Sequence, residues 1–563
     1  MTVAKNKSKW SQNRFAQASL LCAAVAVALT LAGATLQARP AIRNPEHAFA
    51  PVLSEDFQQS LSRANRQLQE LAEAVDGQLA PAADNLLIAR RLSLALVGSG
   101  MSLEEMRALE DIPRDQQITW FTSYLVNDRR WADYFAERFS RAFVGTNDGA
   151  FLLFRKRKFN TWLADQLDQG TSYAEIVREM ISAQGLWTDK PQVNFITATM
   201  DESSNGRADP VRLAGRTSRA FLAQRIDCLQ CHDDFLGQLN FGDEQDVVSG
   251  RQEHFHRLAA FYAEAALPKM PLRGITDDGQ AYEVELLSKP GKQTLTPDVP
   301  FAKSILNNEG SRRQQLAAWV THPENRAFAR SVVNRTWALM FGRPLVSPVD
   351  SIPLDDSVPP VLDTLATDFS QHDYDLRRLI YLIAETDAFR RSSRADFEIT
   401  LAHEECWAVF PITQLRPEQV VGSVFQASKL TALDSSSSIL TRLKIFGDTR
   451  SFLKRFGDRG DDEFDSDSVT IAQRLLLMNG NLVTEQTKVD LVNNASSRIA
   501  ALVPDPAQAI ELAFLCALNR RPSEIESLQF VDYLKDKRGD ARSQALGDIY
   551  WAMINSTEFS WNH

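Results

Sequence analysis

Residues 209–234 read DPVRLAGRTSRAFLAQRIDCLQCHDD. Asp209 before Pro210 marks a helix start. A carboxylate at the N-cap takes the first free amides, and proline at the first helical position lacks an N–H that had no partner anyway. The run VRLAGRTSRAFLAQRI predicts a helix leading straight into C-x-x-C-H, formed by Cys228, Cys231 and His232. Covalent attachment of a haem asks for this set. Two thiols one turn apart add to the two vinyl groups, and the imidazole that follows reaches the iron from the proximal side.

Other readings of the same residues stay open. Zinc would use both thiolates with His254 and His256, but H-x-H lacks the usual three-to-five-residue gap and leaves His232 redundant. A thioredoxin-like redox pair wants a βαβ context, and none is visible. A structural Cys228–Cys231 disulfide is the plainest alternative. For a haem, the sixth ligand has three candidates. Met270 sits in the proline-bounded LPKMPLRG, a loop of the kind that offers a thioether to electron-transfer cytochromes. His254 and His256 are its rivals. Two residues apart on a helix, they face different directions, so one at most reaches the iron.

Outward from the motif the pattern is helical. Toward the N-terminus, helices are predicted over 85–96, 114–124, 128–143, 159–168 and 172–183, with Ser102 and Glu105 forming a capping box. After the motif, 252–266 reads as a helix. Residues 267–300 are broken by proline and glycine, and AYEVELLS alternates like one strand of a hairpin. Helices resume at 312–320 and 328–341, then at 361–371, 376–386, 417–430, 470–479, 484–502, 506–518, 522–537 and 542–555. The fold class is therefore mostly α, two helical domains with a small β-hairpin insertion. The boundaries are 1–38 leader, 39–84 N-terminal extension, 85–268 domain with the motif, 269–310 linker and 311–563 second helical domain.

The leader is read from Lys5, Lys7, Lys9 and Arg14, a charge-free run over 15–38, and small Ala38 at a cleavage position. An uncleaved anchor is the alternative, and otherwise no stretch would meet a membrane. Cleavage leaves 58 basic against 72 acidic residues, a net charge of −14. An acidic chain without a basic stripe is a poor nucleic-acid binder. With 44% hydrophobic and 24% charged residues it reads as globular and soluble. Export to the periplasm or cell envelope follows, and it suits thioether formation. Four mature cysteines are too few for a disulfide scaffold. Cys406 and Cys516 read as buried thiols or one long-range bridge.

No G-x-S-x-G, H-E-x-x-H, P-loop or G-x-G-x-x-G is present. His322, His372 and His403 read as surface or capping residues. Asn325, Arg326, Arg330, Asn334 and Arg335 cluster on or just before one helix. They fit either an anion site, for a haem propionate or a substrate carboxylate, or a buried ion-pair network between the domains.

RRLSLALVGSGMSLEEM, RAFLAQRIDCLQCHDD and HFHRLAAFYAEA resemble the planctomycete-cytochrome-C-like family of exported proteins. LAAWVTHPENRAFARSVVNRTWALMFGRPLVSPVD, DLRRLIYLIAETDAFRRSS and LNRRPSEIE resemble its usual uncharacterised companion domain. The resemblance carries Cys228, Cys231 and His232 over directly. The family often continues C-H-D-H-P-F, whereas Asp234, Phe235 and Leu236 stand here. It also implies a partner, an exported sulfatase- or phosphatase-like protein. The expectation is one covalent haem c and electron transfer, with a redox partner, or an oxidoreductase step on an unknown substrate. The alternative is a non-enzymatic envelope binding protein in which the cysteine pair is a structural clip.

Overall fold

The computed structural model describes residues 54–146, 154–200, 205–242, 247–268, 273–434, 437, 439–456, 464 and 471–563. The leader and Met270 lie outside the described residues.

The chain is 59% helical and 6% strand, the mostly α fold that the periodicity predicts. Among the described residues the sheets are three antiparallel pairs of two strands each. The helix starts follow their caps. Asp209 accepts from the amides of Val211 and Arg212 and opens Pro210–Leu222, and Ser102 and Glu105 close a reciprocal capping box. Arg312–Val320 and Pro506–Leu518 keep the predicted limits. The predicted hairpin pairs Tyr282–Leu286 with Lys289–Leu295.

Three elements differ from expectation. The Pro210–Leu222 helix does not run into Cys228. Ala223 turns left-handed (φ 50°), and the Gln224 amide bonds back to the Ser218 carbonyl. Such a backbone is disfavoured for alanine, and tertiary bonds hold it: Ile352 N donates to Ala223 O, and Gln224 Nε2 donates to Ile352 O. The 252–266 helix stops early. Gln252–Ala259 tightens into a 3₁₀ turn, and Ala265–Ala266 pairs as a strand with Thr276–Asp277. The 484–502 helix is two, Asn481–Thr487 and Ala495–Leu502, because Asn494 spends its amide on the carbonyls of Glu485 and Lys488. Glu55–Glu73 and Ile439–Phe456 are helices that the sequence reading did not single out.

One apolar core runs from Phe57 to Phe559 and takes residues from both sides of the hairpin. Buried arginines staple distant segments across it. Arg91 donates to the carbonyls of Phe389 and Arg391, and Arg313 to those of Ile181 and Ala183. A guanidinium has five donors in a rigid fork, so one side chain satisfies several loop carbonyls that would otherwise be buried bare. No helix among the described residues is long and apolar enough to cross a membrane.

Candidate functional site

Cys228 lies in the 3₁₀ turn Asp227–Gln230, and Cys231 and His232 follow at its end. Leu229, fully buried, is the turn's anchor in the core. Cys228, Cys231 and His232 are exposed, and both cysteines are free thiols. The turn is thus pinned from below and presents its chemistry outward. Gly215 lets it sit close to the preceding helix, since a Cβ there would stand 2.7 Å from Asp227 Oδ1. Arg219 and Arg225 both reach the buried Asp350 carboxylate, at 2.7 and 2.6 Å. They fix the segment before the motif to the proline-rich loop of the second half.

Behind the turn a polar brace holds the Gln230 carbonyl. It accepts from Gln252 Nε2 at 3.1 Å and from His256 Nε2 at 3.0 Å. His256 is buried, and its Nδ1 is 2.8 Å from the Tyr282 hydroxyl. A carbonyl can only accept, so Nε2 carries the proton and Nδ1 accepts from the tyrosine. Burial also lowers this ring's pKa. His256 is therefore a neutral brace between motif and hairpin, with both nitrogens spent. His254 caps its own helix, Nδ1 accepting from Arg251 N at 3.2 Å, and lies edge-on to Phe241. Neither rival for the sixth ligand is brought to the motif's outer face by these bonds.

His232 differs. Its Nδ1 lies 2.7 Å from the Asp233 carbonyl oxygen. The same reasoning places the proton on Nδ1 and leaves the lone pair on Nε2. Metal-ligating imidazoles are oriented in this way, with the far N–H tied to a carbonyl. Its ring stacks on Phe235 at 6.0 Å between centroids. Phe235 and Leu236 are 81% and 80% exposed. Two thiols, a correctly tautomerised imidazole and uncovered apolar side chains fit a covalently held haem. Burial and the Asp234 charge raise the Cys228 pKa, the opposite of what a redox-active thiol needs. Among the described residues, no three His, Cys, Asp or Glu side chains converge as a metal-holding group.

The two aspartates after the motif are structural. Asp233 Oδ1 accepts from the Gln252 amide at 2.7 Å, at the start of the next helix. Asp234 accepts from Leu236 N and Leu239 N and shapes the loop. Gln230, Tyr282 and Asp350 are the site residues that sequence reasoning missed. Only the alternation around Tyr282 hinted that it was buried.

The arginine cluster divides. Arg330, 1% exposed, grips Asp363 through Nε (2.6 Å) and Nη2 (2.9 Å) and donates to the carbonyls of Pro353, Leu354 and Asp355. Arg326 pairs with Asp356 and Asp363. Asn334 exchanges both bonds with Val346. These three hold the second half to itself rather than an anion. Beside them an open cleft of about 410 Å³ is lined by Phe241, Phe301, Arg326 and Asp355 among others. Cys406 and Cys516 are buried free thiols.

No curated protein and no solved structure matches the chain. Residues 64–249, which include the motif, match the model of PSCyt2, a protein of unknown function (DUF1549), and residues 312–441 match that of PSD1, a protein of unknown function (DUF1553), so the chain carries the planctomycete cytochrome-C-like domain and its companion in tandem.

Proposed function

We propose that the protein is an exported c-type haem protein acting in electron transfer or in an oxidoreductase step. The observation that supports this most is the His232 ring. It stands beside two accessible thiols with Nδ1–H tied to the Asp233 carbonyl and Nε2 carrying the lone pair. Cys228 and Cys231 would hold one haem c, and His232 would be its proximal ligand. Such a group supplies one-electron chemistry. The chain's own part is to hold the turn still. Leu229 anchors it, the His256–Tyr282 brace fixes the Gln230 carbonyl, and Asp350 clamps the segment before it. Phe235 and Leu236 offer an apolar flank that water covers poorly. A redox partner in the envelope would dock at this exposed turn.

The test is expression in a periplasm with c-type haem maturation, followed by haem staining of the denatured protein and a pyridine haemochrome spectrum. A covalent haem that disappears in Cys228→Ser/Cys231→Ser is expected. A colourless product beside a matured control cytochrome would overturn the proposal and leave the pair as a structural clip.

A further inference from the structure

The cleft beside the arginine cluster measures about 410 Å³, within the size range of small-molecule pockets. Residues from both sides of the hairpin wall it. Phe241 follows the motif's loop, with its ring edge-on to His254, and Phe301 lies 6.4 Å from it between centroids. Opposite them stand Glu324 and Asn325, just before the Arg326–Phe341 helix, and Asp355 from the proline-rich loop. Trp319 fixes the walls to one another. Its ring packs on Phe301 at 5.1 Å, its Nε1 donates to the Ala302 carbonyl at 3.2 Å, and its own carbonyl accepts from Asn325 Nδ2 at 3.0 Å.

The polar groups of the cleft are acceptors in need of donors. Asn325 is 2% exposed, and its amide oxygen Oδ1 is buried with no hydrogen-bond partner among the described residues. Buried acceptors are ordinarily paired, so this one marks a donor that the chain itself does not supply. The Glu324 carboxylate likewise meets no donor or cation among the described residues. Asp355 accepts from Ser357 through Oδ1, and those bonds hold its carboxyl below the usual carboxylate range. Arg326 also lines the cleft, but Asp356 and Asp363 already engage it at 2.8 and 2.9 Å. With Arg330 included, the carboxylates of Glu324, Asp355, Asp356 and Asp363 face two guanidinium groups, a surplus of two negative charges. Among the described residues these carboxylates do not converge as a metal-holding group. The charge is spread along a cleft that also has two phenyl rings in its wall.

We propose that this cleft binds a small aliphatic ammonium ion, with Glu324, Asp355 and Asn325 as acceptors and its carbon stem against Phe241 and Phe301. An ammonium group carries three donors and no acceptor, which matches the unpaired groups here. A cleft lined by one sign of charge concentrates the opposite ion, and a short alkyl stem covers apolar surface while its charged end stays at the polar rim. An anion would meet the surplus of like charge, and a neutral alcohol would leave that surplus in place. The site does not rest on the haem proposed above.

The test is isothermal titration calorimetry of the full-length chain with n-butylammonium chloride, against matched sodium chloride, with 1-butanol and tetramethylammonium chloride as controls. Saturable binding of one butylammonium per chain is expected, weakening as sodium chloride rises. Tetramethylammonium, which has no N–H, and butanol, which has no charge, should bind at least several-fold more weakly. Glu324→Gln/Asp355→Asn should weaken butylammonium tenfold or more. Glu324 is exposed and unpaired, so Glu324→Gln alone should melt with its parent and still weaken binding several-fold; it serves if the double variant melts low. No saturable heat overturns the site, as does undiminished affinity in these variants. Equal binding of butanol or tetramethylammonium also overturns it, because the rings alone or bulk charge alone would then account for the heat.

Discussion

The Asp227–Gln230 turn with Cys231 and His232, and the Arg326–Phe341 helix, handle polar groups in opposite ways. In the helix 15 of 16 residues are buried, and Arg330 and Asn334 spend their donors on an aspartate and on loop carbonyls. In the turn only Leu229 points inward, while two thiols and an imidazole face solvent. The longer, more distinctive run of sequence builds structure. The short motif presents chemistry. The difference teaches that specificity of sequence is no guide to where a reaction occurs, because close packing constrains residues as tightly as catalysis does.

The strongest way to break this comparison is Arg330→Ala. It strands three loop carbonyls and leaves the Asp363 carboxylate with Arg326 as its remaining cation. Removing one partner of such a buried network costs about 3–5 kcal/mol. Chemical denaturation should show a large fall in midpoint, or the chain should fail to accumulate. A variant melting like its parent would mean that the helix is less committed to structure than its burial states.

Within the turn itself the same contrast recurs at smaller scale. Leu229→Ala opens a cavity under the motif and should cost about 3 kcal/mol. Cys228→Ser and Cys231→Ser, on exposed positions, should each stay within about 0.5 kcal/mol. Melting of the three haem-free variants side by side measures the difference. A costly serine substitution would show that the thiols hold the fold.

His256 ties the two kinds of region together, and its titration has a definite sign. Burial lowers its folded pKa below the ordinary 6.5. The unfolded chain then binds more protons on acidification, so this stabilisation is present above about 6.5 and is lost as pH falls through the folded value. Burial lowers the His254 ring in the same sense, so its contribution adds. His256→Gln should lose about 1–2 kcal/mol at neutral pH through the broken brace. It should also flatten the fall in stability between pH 7 and 5 without abolishing it. An unchanged slope would mean that the ring is already charged in the folded protein.

Much of this was legible in the sequence where the signal is local. Asp209–Pro210, the Ser102–Glu105 box and the alternation around Tyr282 each specify their own element through bonds a few residues long. What was not legible depends on distant partners. Ala223 ends its helix left-handed because residue 352 holds it there. His254 and His256 look equivalent as ligands on paper, yet one caps its helix and the other braces Gln230. Arg326, Arg330 and Arg335 share one cluster in the sequence. Asp356 and Asp363 claim the first two and leave the third, a distinction made only by where the chain returns.

The smallest effect belongs to the flank of the motif. Phe235 and Leu236 stand 81% and 80% exposed, so little apolar area is lost from the core when they change. Phe235→Ser and Leu236→Ser in the haem-free chain should each move stability by less than about 0.5 kcal/mol. The prediction is sharp because the residue types argue the other way: a phenylalanine and a leucine side by side ordinarily mark a core. If they are uncovered here, their value lies in what comes to rest on them, and the same substitutions in haem-loaded protein should lower its melting point more than in the haem-free chain. Equal shifts in both forms would mean that nothing settles on this flank when the motif is filled, and a large shift in the haem-free form would mean that the chain covers them itself.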